Sequence, residues 1–399
     1  MRTVTHRRTT LASFAAFAAF GVFWGTWGAA LPALRHAAAL DDGALGTALL
    51  CVGLGAMPAM ALTGRAVDRY GTRVAGVLLI ALALTGLLTA AWSHDLPTLA
   101  AGMALVGASS GAADVAENAL AGVAERRSGR RVITTSHAMF STFVVIGGLG
   151  TGMLRAAGAD VVAVFAAAGA LVTVTGAAVA VLADGPPTGP PAIRERRRDE
   201  LRLALPFVVV GLVGALGFAA ENAHQSWSAI FLGDELGASP GVTAIAPATF
   251  AGFAAATRFA VGALTRMPSM VVLVVGSVVA VLGTLLLSVA GDVPAALGGI
   301  ALAAVGTSVL FPTLLSRAVR DVPAGRRGRA TSGVATTAYL GFLLGPVYVG
   351  ALADAVGLRG AMTGVAVLPG VFALLAPLVT RRRRVDDPRE PAKVRSGRP

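Results

Sequence analysis

Charged residues and several reactive residue types are scarce in this chain. Only 14% of the 399 residues are charged and 55% are hydrophobic, whereas a soluble domain carries about 25% charged residues. Cys51 is the only cysteine, which excludes an intramolecular disulfide and a CxxC-type metal or redox site. Lys393 is the only lysine and lies in a polar C-terminal stretch, which excludes a P-loop and an internal Schiff base. The composition predicts an integral membrane protein that is not driven by its own ATPase.

The net charge of +12 is distributed unevenly along the sequence. Almost all of the 33 Lys+Arg residues fall in alternate short loops and at the two ends. Only Arg35, Arg155 and Arg359 fall in the opposite loops, and Arg258 lies within an apolar segment. This segregation follows the positive-inside rule, which predicts cytoplasmic termini and a multi-pass protein of the plasma (inner) membrane. It also argues against nucleic-acid binding. We interpret Arg258 as structural, because an arginine near the cytoplasmic end of a span reaches the interface cheaply.

Long apolar runs divide the chain into segments that can cross a bilayer. A spanning helix needs about 20 apolar residues, and continuous runs of that length predict helices rather than the alternating strands of a barrel. The first run continues to Leu34 and exceeds a signal-peptide core, so we interpret it as an uncleaved span. We predict an all-α membrane protein with twelve spans at 10–34, 44–65, 73–93, 97–123, 133–155, 159–183, 203–232, 241–265, 269–290, 293–318, 328–353 and 357–380.

One polar stretch separates the first six predicted spans from the last six. Residues 184–200 read DGPPTGPPAIRERRRDE, and four prolines among charged residues cannot form a span. The sequence therefore predicts an N-terminal six-helix bundle at 1–183, a cytoplasmic linker at 184–202, a C-terminal six-helix bundle at 203–380 and a polar cytoplasmic tail at 381–399. Faint repeats between the halves predict a binding site between the two bundles.

Two of the apolar segments contain clusters of polar side chains. The fourth contains Asp114, Glu117 and Asn118, and the seventh contains Glu221 with His224 and Gln225. A carboxylate in a span is expensive, at roughly 2.5–3.5 kcal/mol, so such side chains face a partner or a water-filled cavity. The spacing favours ionisable groups that carry protons. The alternative is that Asp114 and Glu117 pair with arginines or backbone groups and brace the bundle.

The loop after the second span reads GRAVDRYGTR and contains a known signature. Gly64, Asp68, Arg69, Gly71 and Arg73 fit the pattern G-x-x-x-D-R-x-G-x-R. With twelve spans and a central linker, the chain resembles the major facilitator superfamily (MFS), whose fold has two six-helix bundles. The resemblance implies that these residues form a cytoplasmic gate, in which Asp68 meets a helix N-terminus and neighbouring arginines. The alternative reading is that the arginines only retain the loop inside.

Further stretches, among them DVAEN, SHAMFS and ENAHQSWSAIFL, resemble the YbjJ-type and fucose-permease-like transporters. The resemblance implies that Asp114 is the residue protonated during transport. Those symporters have a second carboxylate in the first span, which this chain lacks, so Glu117 or Glu221 is the expected second proton-coupling site. Substrate-binding side chains are expected among the remaining polar and aromatic residues of spans 4, 5 and 7: Asn118, His137, Asn222, His224, Gln225 and Trp227.

These features predict a permease that moves a small solute by alternating access, coupled to protons. A proton-antiport exporter of drugs or metabolites is an open alternative. A third possibility is a non-transporting receptor or scaffold on the same fold. No nucleophile–base constellation or metal-ligand spacing occurs, so we expect no enzyme, cofactor or metal. The expected partners are a solute, protons and the lipid bilayer, and the expected state is a monomer. The glycine-rich run GGLGTG at 147–152 is interpreted as small-residue helix packing.

Overall fold

The computed structural model describes residues 2–183, 201–263, 267–320, 322 and 324–379. In these ranges the ordered elements are helices and no strand occurs. The linker predicted at 184–202 lies almost wholly outside the described residues, as does the tail predicted at 381–399. The helices are α1 (Arg2–Ala37), α2 (Asp42–Tyr70), α3 (Val74–Trp92), α4 (Leu96–Ser128), α5 (Val132–Ala156), α6 (Val161–Leu182), α7 (Leu201–Leu236), α8 (Pro240–Thr243), α9 (Ile245–Ala263), α10 (Ser269–Val289), α11 (Val293–Thr307), α12 (Leu310–Val319), α13 (Ala324–Ala338) and α14 (Leu340–Val379).

Twelve crossings of a membrane account for these helices. Eleven segments of the described chain are long and apolar enough to span, and the last of them, Gly333–Val379, has 47 residues. A straight helix of that length would measure about 70 Å, more than twice the roughly 30 Å hydrocarbon core. Gly357 interrupts it with a φ of 76°, a backbone conformation that glycine adopts at little cost. The last segment therefore crosses twice, which confirms the predicted count of twelve.

Successive crossings alternate in direction, so the loops fall on two faces of the molecule. We call the face at which α1 begins the terminal face. The opposite face holds the loops that follow α1, α3, α5, α7 and α10. Four aspartates at the opposite face begin helices, because each side chain accepts a hydrogen bond from the backbone N–H three residues later. They are Asp41 to Ala44 (2.8 Å), Asp95 to Thr98 (2.9 Å), Asp160 to Ala163 (2.7 Å) and Asp292 to Ala295 (2.8 Å).

The helices before and after the central stretch pack mainly among themselves. In the first set, α1 packs on α5, α2 on α4, and α3 on both α4 and α6. In the second set, α7 packs on α13 and α14, and α10 on α11 and α14. The two sets meet along two main seams, where α2 contacts α14 and where α5 contacts α8 and α9, and α1 also contacts α7 and α9. A space between the sets is therefore bounded by helices from each.

Glycines allow these seams to close. A Cβ added at Gly147 would lie 2.5 Å from the carbonyl oxygen of Val22 in α1. One added at Gly152 would lie 2.9 Å from the Cβ of Ala244, at the seam between the two sets. Side chains are absent where backbones approach this closely. The interpretation of GGLGTG as a helix-packing run is confirmed.

The arginines of the opposite-face loops have local hydrogen-bond or ion-pair partners. Arg35 bonds the backbone oxygen of Leu40 (3.0 Å) and Asp42 (3.0 Å), and it also pairs with Asp234 of α7. Arg359 pairs with Glu235 (2.8 Å), and Arg155 donates to the backbone oxygen of Ala159 (2.8 Å). The Arg35–Asp234 pair joins the two sets of helices at this face. A second joining contact is the backbone N–H of Gly43, which donates to Asp354 over 2.9 Å.

Candidate functional site

The polar residues of α4, α5, α7 and α9 lie at one depth in the molecule. Four charged or ionisable residues lie fifteen to nineteen residues from the opposite-face end of their span: Asp114, His137, Glu221 and Arg258. For Arg258 the span is counted from the start of α8. At 1.5 Å per residue this is roughly 25 Å. Helices of both sets therefore bring charged groups to the same level.

Asp114 and Asn118 form a pair along one face of α4. The Asn118 side-chain amide donates to a carboxylate oxygen of Asp114 (3.0 Å) and to its backbone oxygen (2.8 Å). Residues four apart on a helix are neighbours, so the pair follows from the sequence spacing. Both side chains are half-buried. The amide orients the Asp114 carboxyl and leaves it reachable from the space beside it.

Glu117 is buried one turn along from Asp114. It is 1% exposed, and neither of its carboxyl oxygens has a hydrogen-bond partner among the residues that the structure describes. It interacts electrostatically with Asp114. An unpaired carboxylate in a water-excluded site is highly unfavourable, so such a group stays neutral instead. Within the described chain, Glu117 does not pair with an arginine, as the bracing alternative would require.

Glu221 on α7 is paired with Arg258 on α9. The guanidinium Nη2 donates to Oε1 of Glu221 over 2.7 Å, and the Gln225 amide donates to the same oxygen over 3.2 Å. The Glu221 side chain is 6% exposed and that of Arg258 is 43% exposed. The interpretation of Arg258 as a snorkelling residue is therefore incomplete, because its guanidinium is held in the interior by a carboxylate of another helix.

A proline frees the second hydrogen-bond acceptor of Arg258, the Ser308 carbonyl. Pro312 has no N–H, so the carbonyl of Ser308, four residues earlier, loses its helical donor. The chain is interrupted there, between α11 and α12. Arg258 Nε donates to this free carbonyl oxygen over 3.1 Å. The break in the tenth span thus fixes the orientation of the arginine.

Aromatic rings lie beside the Glu221–Arg258 pair. Phe218, one turn before Glu221, contacts Phe311, Phe342 and Tyr339, with ring centroids 4.2, 4.7 and 5.5 Å away. Tyr339 is 44% exposed and interacts electrostatically with both Asp114 and Glu221. The phenol therefore lies near acidic groups of both helix sets. We call these four residues the aromatic cluster.

His137 on α5 completes this region. Its ring packs edge-on against Phe17 at 4.9 Å, and it interacts electrostatically with Arg258 across the two sets. Ser141 donates to the backbone oxygen of His137 (3.2 Å) and not to its ring. The structure thus brings the predicted residues Asp114, His137 and Glu221 near one another through Tyr339 and Arg258. Asn118 and Gln225 are hydrogen-bonded to Asp114 and Glu221.

The other predicted residues of α7 lie elsewhere. His224 is fully buried, with Nε2 at 3.0 Å from the Thr284 hydroxyl and its ring stacked on Phe250. Trp227 is also fully buried. Asn222 accepts a hydrogen bond from Ser226 (3.1 Å). These contacts lie within the second helix set, so the structure does not place His224, Trp227 or Asn222 beside Asp114.

The signature loop lies at the terminal face, between α2 and α3. Gly71 ends α2 with a φ of 79°, and its N–H donates to the Val67 oxygen (2.8 Å). The Arg69 guanidinium lies over the Tyr70 ring at 5.2 Å, and Arg73 precedes α3. Gly64 has open space around it. Asp68 is exposed and contacts no partner among the described residues.

Sequence reasoning missed the roles of Arg258, Tyr339 and Phe218. The available signals were an arginine within an apolar segment and Pro312 in the span that supplies its acceptor. In the described chain, no group of three or more His, Cys, Asp or Glu side chains converges as metal ligands would. The arrangement offers ionisable groups, hydrogen-bond donors and ring surfaces to a solute.

Comparison with known proteins adds a family to this geometry. Residues 12–332 and 210–399 match the model of the Major Facilitator Superfamily. An uncharacterized transporter, y4wD of Sinorhizobium fredii, is 31% identical over 359 residues, which cover 88% of this chain and 92% of that protein. An uncharacterized MFS-type transporter of Yersinia pestis is 29% identical, with coverages of 88% and 90%.

Solved transporter structures share the fold at low sequence identity. A mutant of the nucleoside transporter NupG superposes with a TM-score of 0.78 at 14% identity, covering 94% of this chain and all of that one (100%). A D-xylose-proton symporter superposes with a TM-score of 0.71 at 14% identity, with coverages of 92% and 96%. The arrangement of helices is therefore shared with these proteins.

Proposed function

This chain belongs to the major facilitator superfamily and is a secondary transporter, and we propose that it couples the movement of a small solute to protons. The observation that carries the proposal is that the Asp114–Glu117 pair of α4 and the Glu221–Arg258 pair of the other helix set lie near the same phenol, that of Tyr339. A rigid scaffold could pack apolar side chains at these positions, because ionisable groups in apolar spans are energetically costly. We further propose the plasma membrane as its location, cytoplasmic termini, a monomeric state and membership of the YbjJ-type subgroup.

Asp114 is the proton-accepting residue in this proposal. Glu117 is buried without a partner, so it holds its proton throughout the cycle. Asp114 is half-buried, is oriented by Asn118 (3.0 Å), and can exchange a proton with water in the space beside it. Two carboxylates one turn apart in a low-dielectric region do not both ionise readily. Protonation of Asp114 therefore changes the charge facing the solute by one unit.

The two seams define how access alternates. In this conformation the Arg35–Asp234 pair and the Gly43–Asp354 contact join the helix sets at the opposite face. At the terminal face Asp68 is exposed and unengaged. We propose that this is the state open to the cytoplasm, and that Gly64, Asp68, Arg69, Gly71 and Arg73 close that face in the alternate state. The solute then contacts Asn118, His137 and Gln225 in the space between the sets.

The test is Asp114→Asn in proteoliposomes with an imposed pH gradient. Proton-driven solute accumulation is expected to be lost, whereas counterflow, which needs no net proton movement, is expected to persist. Asp160→Asn is the matched control: it removes a carboxylate charge at a helix start (2.7 Å to Ala163) and leaves accumulation intact. Unchanged accumulation by Asp114→Asn contradicts the proposal. The direction of movement under the gradient separates uptake from the exporter alternative.

A further inference from the structure

We propose that Arg258 binds a carboxylate group of the solute, and that the solute is an organic monocarboxylate with an aromatic or other apolar body. This inference rests on the proposed transport function and adds the class of solute. The first support is that one nitrogen of the Arg258 guanidinium has no hydrogen-bond partner among the described residues. Nε bonds the Ser308 oxygen and Nη2 bonds Glu221, whereas Nη1 has no partner among the described residues.

The free donors of Arg258 are accessible, and His137 of the other helix set lies within electrostatic range of the guanidinium. The side chain is 43% exposed although its partner Glu221 is 6% exposed. Its bonds to α7 and to the α11–α12 break direct it inward, away from lipid. An arginine kept only to neutralise Glu221 would use its planar fork in two parallel bonds to the carboxylate. The pair observed here uses one guanidinium nitrogen on one oxygen, so the outward edge of the fork is available to a second carboxylate.

The aromatic cluster indicates the rest of the solute. Phe218 lies one turn before Glu221 and packs against Phe311 and Phe342 at 4.2 and 4.7 Å. Phe311 lies three residues after Ser308, so two of these rings lie about one helical turn from the residues that hold Arg258. Ring faces of this kind favour offset stacking or edge contacts with another ring. A solute whose carboxylate is attached directly to a ring would bind Arg258 through the carboxylate and contact these side chains with the ring.

Glu221 competes with the solute for the same arginine. Two ionised carboxylates on one guanidinium repel each other, so removing the charge of Glu221 strengthens solute binding. The other ionisable groups of this space are Asp114 and Glu117 on α4, His137 on α5 and Tyr339. A cationic solute is the rival reading, since Asp114 and Glu221 are both acidic. Glu221 already accepts hydrogen bonds from Arg258 and Gln225, however, and Asp114 already accepts the Asn118 amide, whereas Nη1 of Arg258 has no partner among the described residues.

The experiment measures the thermal stability of the purified full chain with three probes of one shape: benzoate, benzamide and benzylammonium, at constant ionic strength. A ligand that binds only the folded state stabilises it, by an amount that grows with the logarithm of the ligand concentration above Kd. Benzoate alone is expected to stabilise the wild type. Glu221→Gln is expected to lower the half-saturating benzoate concentration by about tenfold, because the competing charge is gone.

Removing the arginine tests the assignment directly. Arg258→Gln leaves Glu221 unpaired and risks misfolding, so the double variant Arg258→Gln/Glu221→Gln removes both charges together. It is expected to fold and to lose the benzoate effect, whereas Arg258→Lys retains a weaker one. Equal stabilisation by benzamide or benzylammonium, no stabilisation by any probe, or benzoate binding in the double variant overturns the proposal. Asp114→Asn separates the two proposals: if it retains proton-driven transport, proton coupling through Asp114 fails and the benzoate result stands.

Discussion

Removal of one ion pair at the opposite face is expected to shift the transporter towards its outward-open state. Asp234 pairs with Arg35 across the two helix sets, and the two side chains are 35% and 16% exposed. A hydrogen bond to a charged group contributes about 1.5–3 kcal/mol when buried, and an exposed pair contributes about 0–1 kcal/mol. For this partly buried pair we take roughly 1–2 kcal/mol, which changes a population ratio by about 5- to 30-fold.

The change is Asp234→Asn, which removes the charge and keeps the size of the side chain. Arg35 retains Asp42 (3.0 Å) and the Leu40 oxygen (3.0 Å), so the loop after α1 stays in place and only the joining contact weakens. The closed opposite face is therefore expected to open more often, by about the same 5- to 30-fold factor.

A reporter thiol measures this opening. Because Cys51 is the only cysteine, a Cys51→Ala background makes Ala248→Cys the single reactive site. Ala248 is 5% exposed and lies at the seam where α5 meets α9. The rate at which a membrane-impermeant maleimide labels the thiol from outside intact cells reports how often the seam opens. Asp160→Asn serves as control, because Asp160 begins α6 and joins no second helix set. Equal labelling rates for Asp234→Asn and the parent would refute a closing role for this pair.

Two further predictions concern stability. Gly147→Ala places a Cβ 2.5 Å from the Val22 oxygen, so overpacking of α5 on α1 is expected to cost about 1–3 kcal/mol of unfolding free energy. Gly150→Ala is the control, because a Cβ there has nothing within 4 Å. Equal melting temperatures of the two variants in a detergent unfolding scan would contradict the reasoning. The Thr98 hydroxyl and N–H lower the pKa of Asp95. A lowered pKa stabilises the fold at neutral pH, and that contribution disappears as the pH falls through it. Asp95→Asn is therefore expected to lower the melting temperature near pH 7 and to leave it unchanged at the acidic end, and a loss independent of pH would contradict this.

The sequence by itself determined the number of spans, their helical form and the residues that are expensive in a membrane. Length and continuity of apolar runs are one-dimensional properties, and the resulting count of twelve is confirmed by the structure. Contacts between neighbours along one helix could also be predicted from the sequence, because residues four apart lie on the same helix face. Asn118 bonds Asp114 and Gln225 bonds Glu221 in this way.

Only the tertiary structure decided which helices face each other. Helical periodicity gave His224 and Gln225 the same prediction, yet the packing of α7 buries His224 against Thr284 and directs Gln225 to the Glu221–Arg258 pair. Arg258 and Ser308 are far apart in sequence and meet because Pro312 frees a carbonyl on a neighbouring span. Contacts of this kind depend on the rotation and depth of packed helices, which no local pattern of residues specifies.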